Sequence, residues 1–227
     1  MPHSSRIGSG DLLPQILRWP TERARQWTCE FLDSAPANGS VLAVIAIGSA
    51  VRPNVVSIDL DLIVISAETT PLQVSTPMEI DLRVYSAGAI DAQIARGHDL
   101  LGWAIKFGKA LFQRDRCWDR IVADWKDKLP LPSAAAARER AASAHARLAR
   151  ILESGDTDAI QEQAVSYLTQ LARAELLERG VYPASRPELP SQLRGINGSQ
   201  IGEQLDRLLH SDWLDTERID QVLKLTA

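Results

Sequence analysis

The stretch 41–66 constrains this chain more than any other. Residues 41–47 (VLAVIAI) are apolar and rich in β-branched side chains, and the run stops abruptly at Gly48-Ser49. That is the pattern of a buried strand running into a turn. Nine residues later comes Asp59-Leu60-Asp61, inside a second strand-like run that continues to Ile65. In a strand, residues two apart share a face. Asp59 and Asp61 are therefore predicted to point one way, and Leu60, Leu62 and Val64 the other, toward a core.

Two carboxylates about 4 Å apart in an effective dielectric near 20 repel by about 4 kcal/mol. A cation between them removes that cost, and a hard ion with oxygen ligands, Mg²⁺ above all, suits the donors. A third carboxylate follows. Residues 79–85 (EIDLRVY) alternate, with Ile80, Leu82 and Val84 on one face and Glu79, Asp81, Arg83 and Tyr85 on the other. If this strand lies beside the Asp59/Asp61 strand, Asp81 completes a three-carboxylate cluster. The Gly48-Ser49 turn has the opposite character: glycine lets backbone N–H groups approach a phosphate and serine adds a hydroxyl donor. An N–H cradle beside a metal–carboxylate cluster suits a nucleoside triphosphate.

Gly48-Ser49, the nine-residue gap, Asp59-x-Asp61 and a later apolar-flanked Asp81 resemble the nucleotidyltransferase superfamily that includes DNA polymerase β and the antibiotic nucleotidyltransferases. The resemblance covers about residues 41–115. It implies metal binding by Asp59, Asp61 and Asp81, with Asp81 a metal ligand, a general base or both. It implies nucleotide binding by Gly48 and Ser49, with Arg52 and Ser57 falling where members often carry an Arg and a Ser. The implied cofactor is Mg²⁺, two ions, with ATP as substrate.

The chain has 227 residues, enough for one large domain or two small ones. A net charge of −4 argues against a long nucleic-acid track. Cys29 and Cys117 lack metal-ligand spacing and fit free thiols in a reducing cytoplasm. No apolar run approaches membrane-spanning length, so a soluble cytoplasmic protein without a membrane partner is expected. An isologous homodimer is plausible by base rate.

The expected fold class is α/β (α+β): a small mixed sheet with helices, then a C-terminal helical bundle. A flexible segment is expected at 1–20, a catalytic domain at 21–129 and the bundle at 133–227, with Pro130 and Pro132 marking the linker. Helices are predicted at 11–19 and 21–32, the second packed through Trp27, Phe31 and Leu32. Strands are predicted at 42–47, 58–65, 79–85 and 109–112, the last on the sheet edge. Residues 87–107 read as helix, broken near Gly97, with Asp99 capping the second piece and Gly108 at its end. Further helices are expected at 133–153, from Asp156 or Asp158 to Gly180, and at 191–194, 199–209 and 216–225.

Two other motifs are weaker. The segment from Gly102 to Lys109 has the wrong spacing for a P-loop and no Ser or Thr after the lysine. Arg140-x₄-His145 matches the pattern of HEPN ribonucleases, but on an Ala/Arg-rich helix it reads better as a solvated face.

The expected activity is transfer of a nucleoside monophosphate, AMP from ATP, to a hydroxyl of a small acceptor. In the antibiotic nucleotidyltransferases acidic residues of the bundle meet the drug's amines, a part open here to Glu162, Glu175 and Glu178. The alternatives are a partner protein as acceptor, as in antitoxin-type members, and a catalytically degenerate binding scaffold.

Overall fold

The computed structural model describes residues 13–53, 59–68, 74–196, 200–210 and 222–224. The chain divides into two compact units, Met1–Pro130 and Leu131–Ala227. Together they are mixed α/β: a sheet with helices in the first unit and helices alone in the second.

The first unit begins with α1, Glu22–Ser34, whose N-cap Thr21 accepts from the Ala24 amide at 3.1 Å. The small residues Ala24 and Thr28 are its fully buried positions. Trp27, Phe31 and Leu32, the expected packing residues, are only half-buried, and Trp27 stacks on Phe31 at 5.1 Å. Small side chains let this helix approach its support closely, which pushes the large rings to the rim. The predicted helix at 11–19 does not form over its described part. Residues 13–20 make a turn and an extended run instead, held by the Leu17 amide on the Ala50 carbonyl at 2.9 Å. With Pro14 and Pro20 at its ends, this stretch cannot fill a helical hydrogen-bond ladder.

Four strands follow: β1 Val41–Ile47, β2 Leu60–Ser66, β3 Ile80–Ser86 and β4 Lys109–Gln113, in the order β3-β2-β1-β4. β1 pairs antiparallel with β2 and β4, and β2 pairs parallel with β3. The end of β1 therefore lies beside the starts of the other three strands. β1 and β2 are central, and their apolar runs are buried on both faces. On β2 not only Leu60, Leu62 and Val64 but also Ile63 and Ile65, on the Asp61 face, are closed to solvent. β3, an edge strand, keeps the polar alternation its sequence shows.

Helices α2, Ala87–Ala95, and α3, Asp99–Phe107, connect β3 to β4. Gly97, at φ 75°, makes the left-handed break between them. The cap of α3 is His98, whose Nδ1 accepts from the Leu101 amide at 3.4 Å, and Asp99 is the first helical residue. Gly108 ends α3 in an extended conformation. It is required by space, since a methyl there would lie 2.5 Å from the Ala104 carbonyl oxygen and 2.9 Å from Ile45 Cγ2. Arg114 Nη2 reaches the carbonyls of Ala35, Pro36 and Asn38 at 3.0–3.4 Å and ties the end of β4 to the loop after α1. A further helix, α4, spans Cys117–Trp125.

The second unit is built on α5, Ala134–Leu152, and α6, Thr157–Glu178, capped by Ser133 and Asp156. Ala137, Ala141, Ala144 and Leu148 form the buried stripe of α5, a four–three–four spacing that puts them on one face. Helices α7, Leu189–Arg194, and α8, Gln200–His210, complete its described core. Of the Arg140/His145 pair, Arg140 is exposed and His145 half-buried. Arg140 Nε donates to Gln170 Oε1 at 3.2 Å, and the His145 ring lies 5.1 Å from that of Tyr167 with Nε2 3.3 Å from the Leu223 carbonyl. Among the described residues no helix is long and apolar enough to cross a membrane. Much of the helix expected at 216–225 lies outside the described residues.

Gly108→Ala is expected to destabilise the first unit by about 1–3 kcal/mol, because the new methyl meets backbone and a β1 side chain that cannot both retreat. A urea melt checks this. An unchanged midpoint would mean that the α3–β4 junction yields freely.

Candidate active site

The antiparallel β1–β2 pair places Ile47 opposite Asp61, and the parallel β2–β3 pair places Asp61 beside Asp81. Three adjacent strands thus bring Gly48, Asp61 and Asp81 together at one end of the sheet. Asp59, exposed, immediately precedes β2. Ser57 lies outside the described residues.

Gly48 and Asp61 are in intimate contact. Gly48 has φ 74° and ψ −156°, and a methyl built on it would lie 2.3 Å from Asp61 Oδ2. Only glycine serves here, for its left-handed φ and for the space the carboxylate takes. Ser49 then starts a 3₁₀ turn, Ser49–Val51, so the chain leaves β1 in a tight curl directly over the carboxylate. Arg52 closes that turn with its amide on the Ser49 carbonyl at 3.1 Å, and its guanidinium sits 4.8 Å over the Phe107 ring. It lines a cavity of about 420 Å³ with Leu17, Val51, Pro53 and Lys109, a lining that includes none of the three aspartates.

Asp61 is half-buried, and its carboxyl is pushed from the ordinary 3.8 up to about 6. Burial is the largest cause, followed by the charges of Asp59 and Asp81, with Arg83 opposing. The three carboxylates therefore share one electrostatic site. Their side chains are not closed around a common point, however. Among the described residues no three His, Cys, Asp or Glu side chains form a ready metal cage. Asp81 Oδ2 is taken by Arg83, from Nη2 at 2.6 Å and from Nε at 3.1 Å. Glu79, on the same face, turns toward Thr21 at the start of α1 instead.

A hard divalent cation fits these residues in chemistry. The donors are all carboxylate oxygens, and a cation would offset the burial and the like charges of Asp59 and Asp81 that raise the Asp61 pKa. Arg83 is the functional candidate that sequence reasoning passed over. It was counted as part of a polar face, and the i, i+2 spacing from Asp81 was the signal available.

The proposed acidic residues of the second unit are not equally available. Glu178 is held by Arg138 through two oxygens at 2.7 and 2.9 Å, which keeps its carboxyl below the usual range. Glu175 is bound by Arg179 at 2.5 Å.

No protein-family model matches the chain, and neither does any curated protein. Among solved structures, it is similar to a nucleotidyltransferase-like protein from Exiguobacterium sibiricum at 17% identity and a TM-score of 0.42. The match spans 87% of this chain and 71% of that one. A superposition this loose says nothing of substrate, metal or acceptor.

Folding raises the Asp61 pKa, so the folded state holds this proton more tightly than the unfolded chain. The stability it contributes is complete below about pH 4 and is lost as pH rises through about 6. At pH 8, without divalent ions, Asp61→Asn is expected to be more stable than wild type by ~1–2 kcal/mol, the gap closing toward pH 4. Urea melts across that range test it, and parallel stability curves for the two proteins would refute it.

Proposed function

We propose that this protein is a Mg²⁺-dependent nucleotidyltransferase that moves AMP from ATP to a hydroxyl of a small acceptor and releases pyrophosphate. One observation carries the reading: a glycine turn packed against a carboxylate whose pKa is raised by burial and, after it, by two neighbouring carboxylates. Structural stability gives no reason to gather three negative charges on one sheet end, since their repulsion opposes folding. Charge-transferring chemistry does give one.

In this reading Gly48 and Ser49 hold the β- and γ-phosphates through backbone N–H groups and the serine hydroxyl. Asp59 and Asp61 are the residues that hold the metal. Bound there, a divalent cation offsets charge on the phosphate oxygens during transfer. Asp81 has one oxygen on Arg83 and the other without that partner, so it can take the acceptor hydroxyl's proton at Oδ1. The attacking oxygen forms a bond to the α-phosphorus as the bond to pyrophosphate breaks, and the proton passes to Asp81.

The Arg83–Asp81 pair also favours a second reading, a binding scaffold in which the arginine permanently occupies the third carboxylate. The two readings separate in one experiment. Protein is incubated with α-labelled ATP, Mg²⁺, hydroxylated small molecules and cell lysate, and label and pyrophosphate are followed. Asp59→Asn and Asp61→Asn are each expected to reduce transfer at least ~100-fold. Transfer at the wild-type rate by both variants would sink the mechanism, and no transfer by the wild type favours the scaffold.

A further inference from the structure

We propose that Arg83 selects the acceptor, and that the acceptor is a small hydroxylated molecule carrying a phosphate or carboxylate rather than an amine. This rests on the transferase reading above and concerns the same site.

The direction of approach follows from strand order. Gly48 follows Ile47, which faces Asp61, and Asp61 faces Asp81. Gly48 and Asp81 are thus on opposite sides of Asp61, each about one strand spacing of 4.8 Å away. With the outer phosphates at Gly48 and Ser49, the leaving group lies over β1. In-line displacement requires the nucleophile to enter opposite the leaving group, hence from the β3 side. The acceptor then meets what β3 presents beside Asp81 on the same face, which is Arg83 and Tyr85. Tyr85 is half-buried, with its ring edge-on to His98 at 5.5 Å. The Arg83 side chain is 57% exposed.

Arg83 is a cation with spare capacity. Nε and Nη2 both donate to a single oxygen, Asp81 Oδ2, an end-on arrangement. Nη1 makes no hydrogen bond to any described residue, so half of the guanidinium's planar fork is open. The pair is exposed on both sides, at 57% and 44%. Exposed pairs of this kind are weak, and an anion on the acceptor can draw on the same guanidinium. A phosphate or carboxylate one or two carbons from the reacting hydroxyl would pair with Arg83 while the hydroxyl lies at Asp81. An ammonium in that position would meet a fixed like charge.

The test uses matched three-carbon probes on the full chain. Glycerol 3-phosphate, glycerate, glycerol and 3-amino-1,2-propanediol are titrated calorimetrically into the Mg²⁺-loaded protein, with and without a non-hydrolysable ATP analogue. The same probes are then offered as acceptors with ATP. The anionic probes are expected to bind about tenfold or more tightly than glycerol and the amine, with the phosphate and carboxylate arms showing which anion is preferred. Arg83→Ala should bring all four probes to similar affinity without weakening the nucleotide analogue. Arg83→Lys should retain part of the preference, as a point charge without the fork. An amine that binds as well as the anions, or an anion preference that survives Arg83→Ala, overturns this proposal alone. A nucleotide analogue that fails to bind overturns the transferase reading instead, and the titrations without nucleotide still decide the role of Arg83.

Discussion

The carboxylate of Asp61 pressed against the bare backbone of Gly48 is the contact on which the rest of the site depends. It joins a strand end that offers N–H groups to a strand start that offers negative charge. Each alone is ordinary. Held in contact, they are what the proposed function uses to bind an anion and a cation side by side. Burial and like charges make Asp61 costly to ionise, and a residue kept under those conditions is a sign of use rather than of stability.

The sheet makes this tolerable. β1 and β2 are buried on both faces beyond the charged end, so a continuous apolar ladder absorbs the local repulsion. Helix α3 reinforces it where Gly108 passes against Ile45 without a side chain between them. The charged residues then emerge at the margin of a rigid element, which fixes their backbones while leaving Asp59 and Asp81 exposed.

Much of the fold could be read from local pattern. The strands carry uninterrupted β-branched runs or strict alternation. The helices of the second unit carry capping residues at Ser133 and Asp156 and a 3.6-residue apolar period. The failures have local causes too. The helix expected at 11–19 had apolar spacing but prolines at its ends, and a single contact to Ala50 settles it as extended chain. His98 caps α3 in place of Asp99 because the chain reverses at Gly97 one residue earlier than the better capping type suggests. α1 buries Ala24 and Thr28 rather than its tryptophan because close packing favours small residues on the inner face, a choice set by what lies opposite.

The sequence by itself determined the chemical character of the site. Asp61 on a strand with Asp59 just before it, and a glycine before a serine, are local facts, because period-two alternation and backbone sterics act within a few residues. It also offered Asp81 as a third carboxylate without locating it. Tertiary structure decided which strand lies beside which, and so that Asp81 stands next to Asp61 while Arg52 lies over the Phe107 ring. It decided as well that Arg83 pairs with Asp81 and that Glu175 and Glu178 pair with Arg179 and Arg138. Those outcomes depend on strand order and on the distance between side chains far apart in the chain, and neither quantity is encoded in any single stretch of residues.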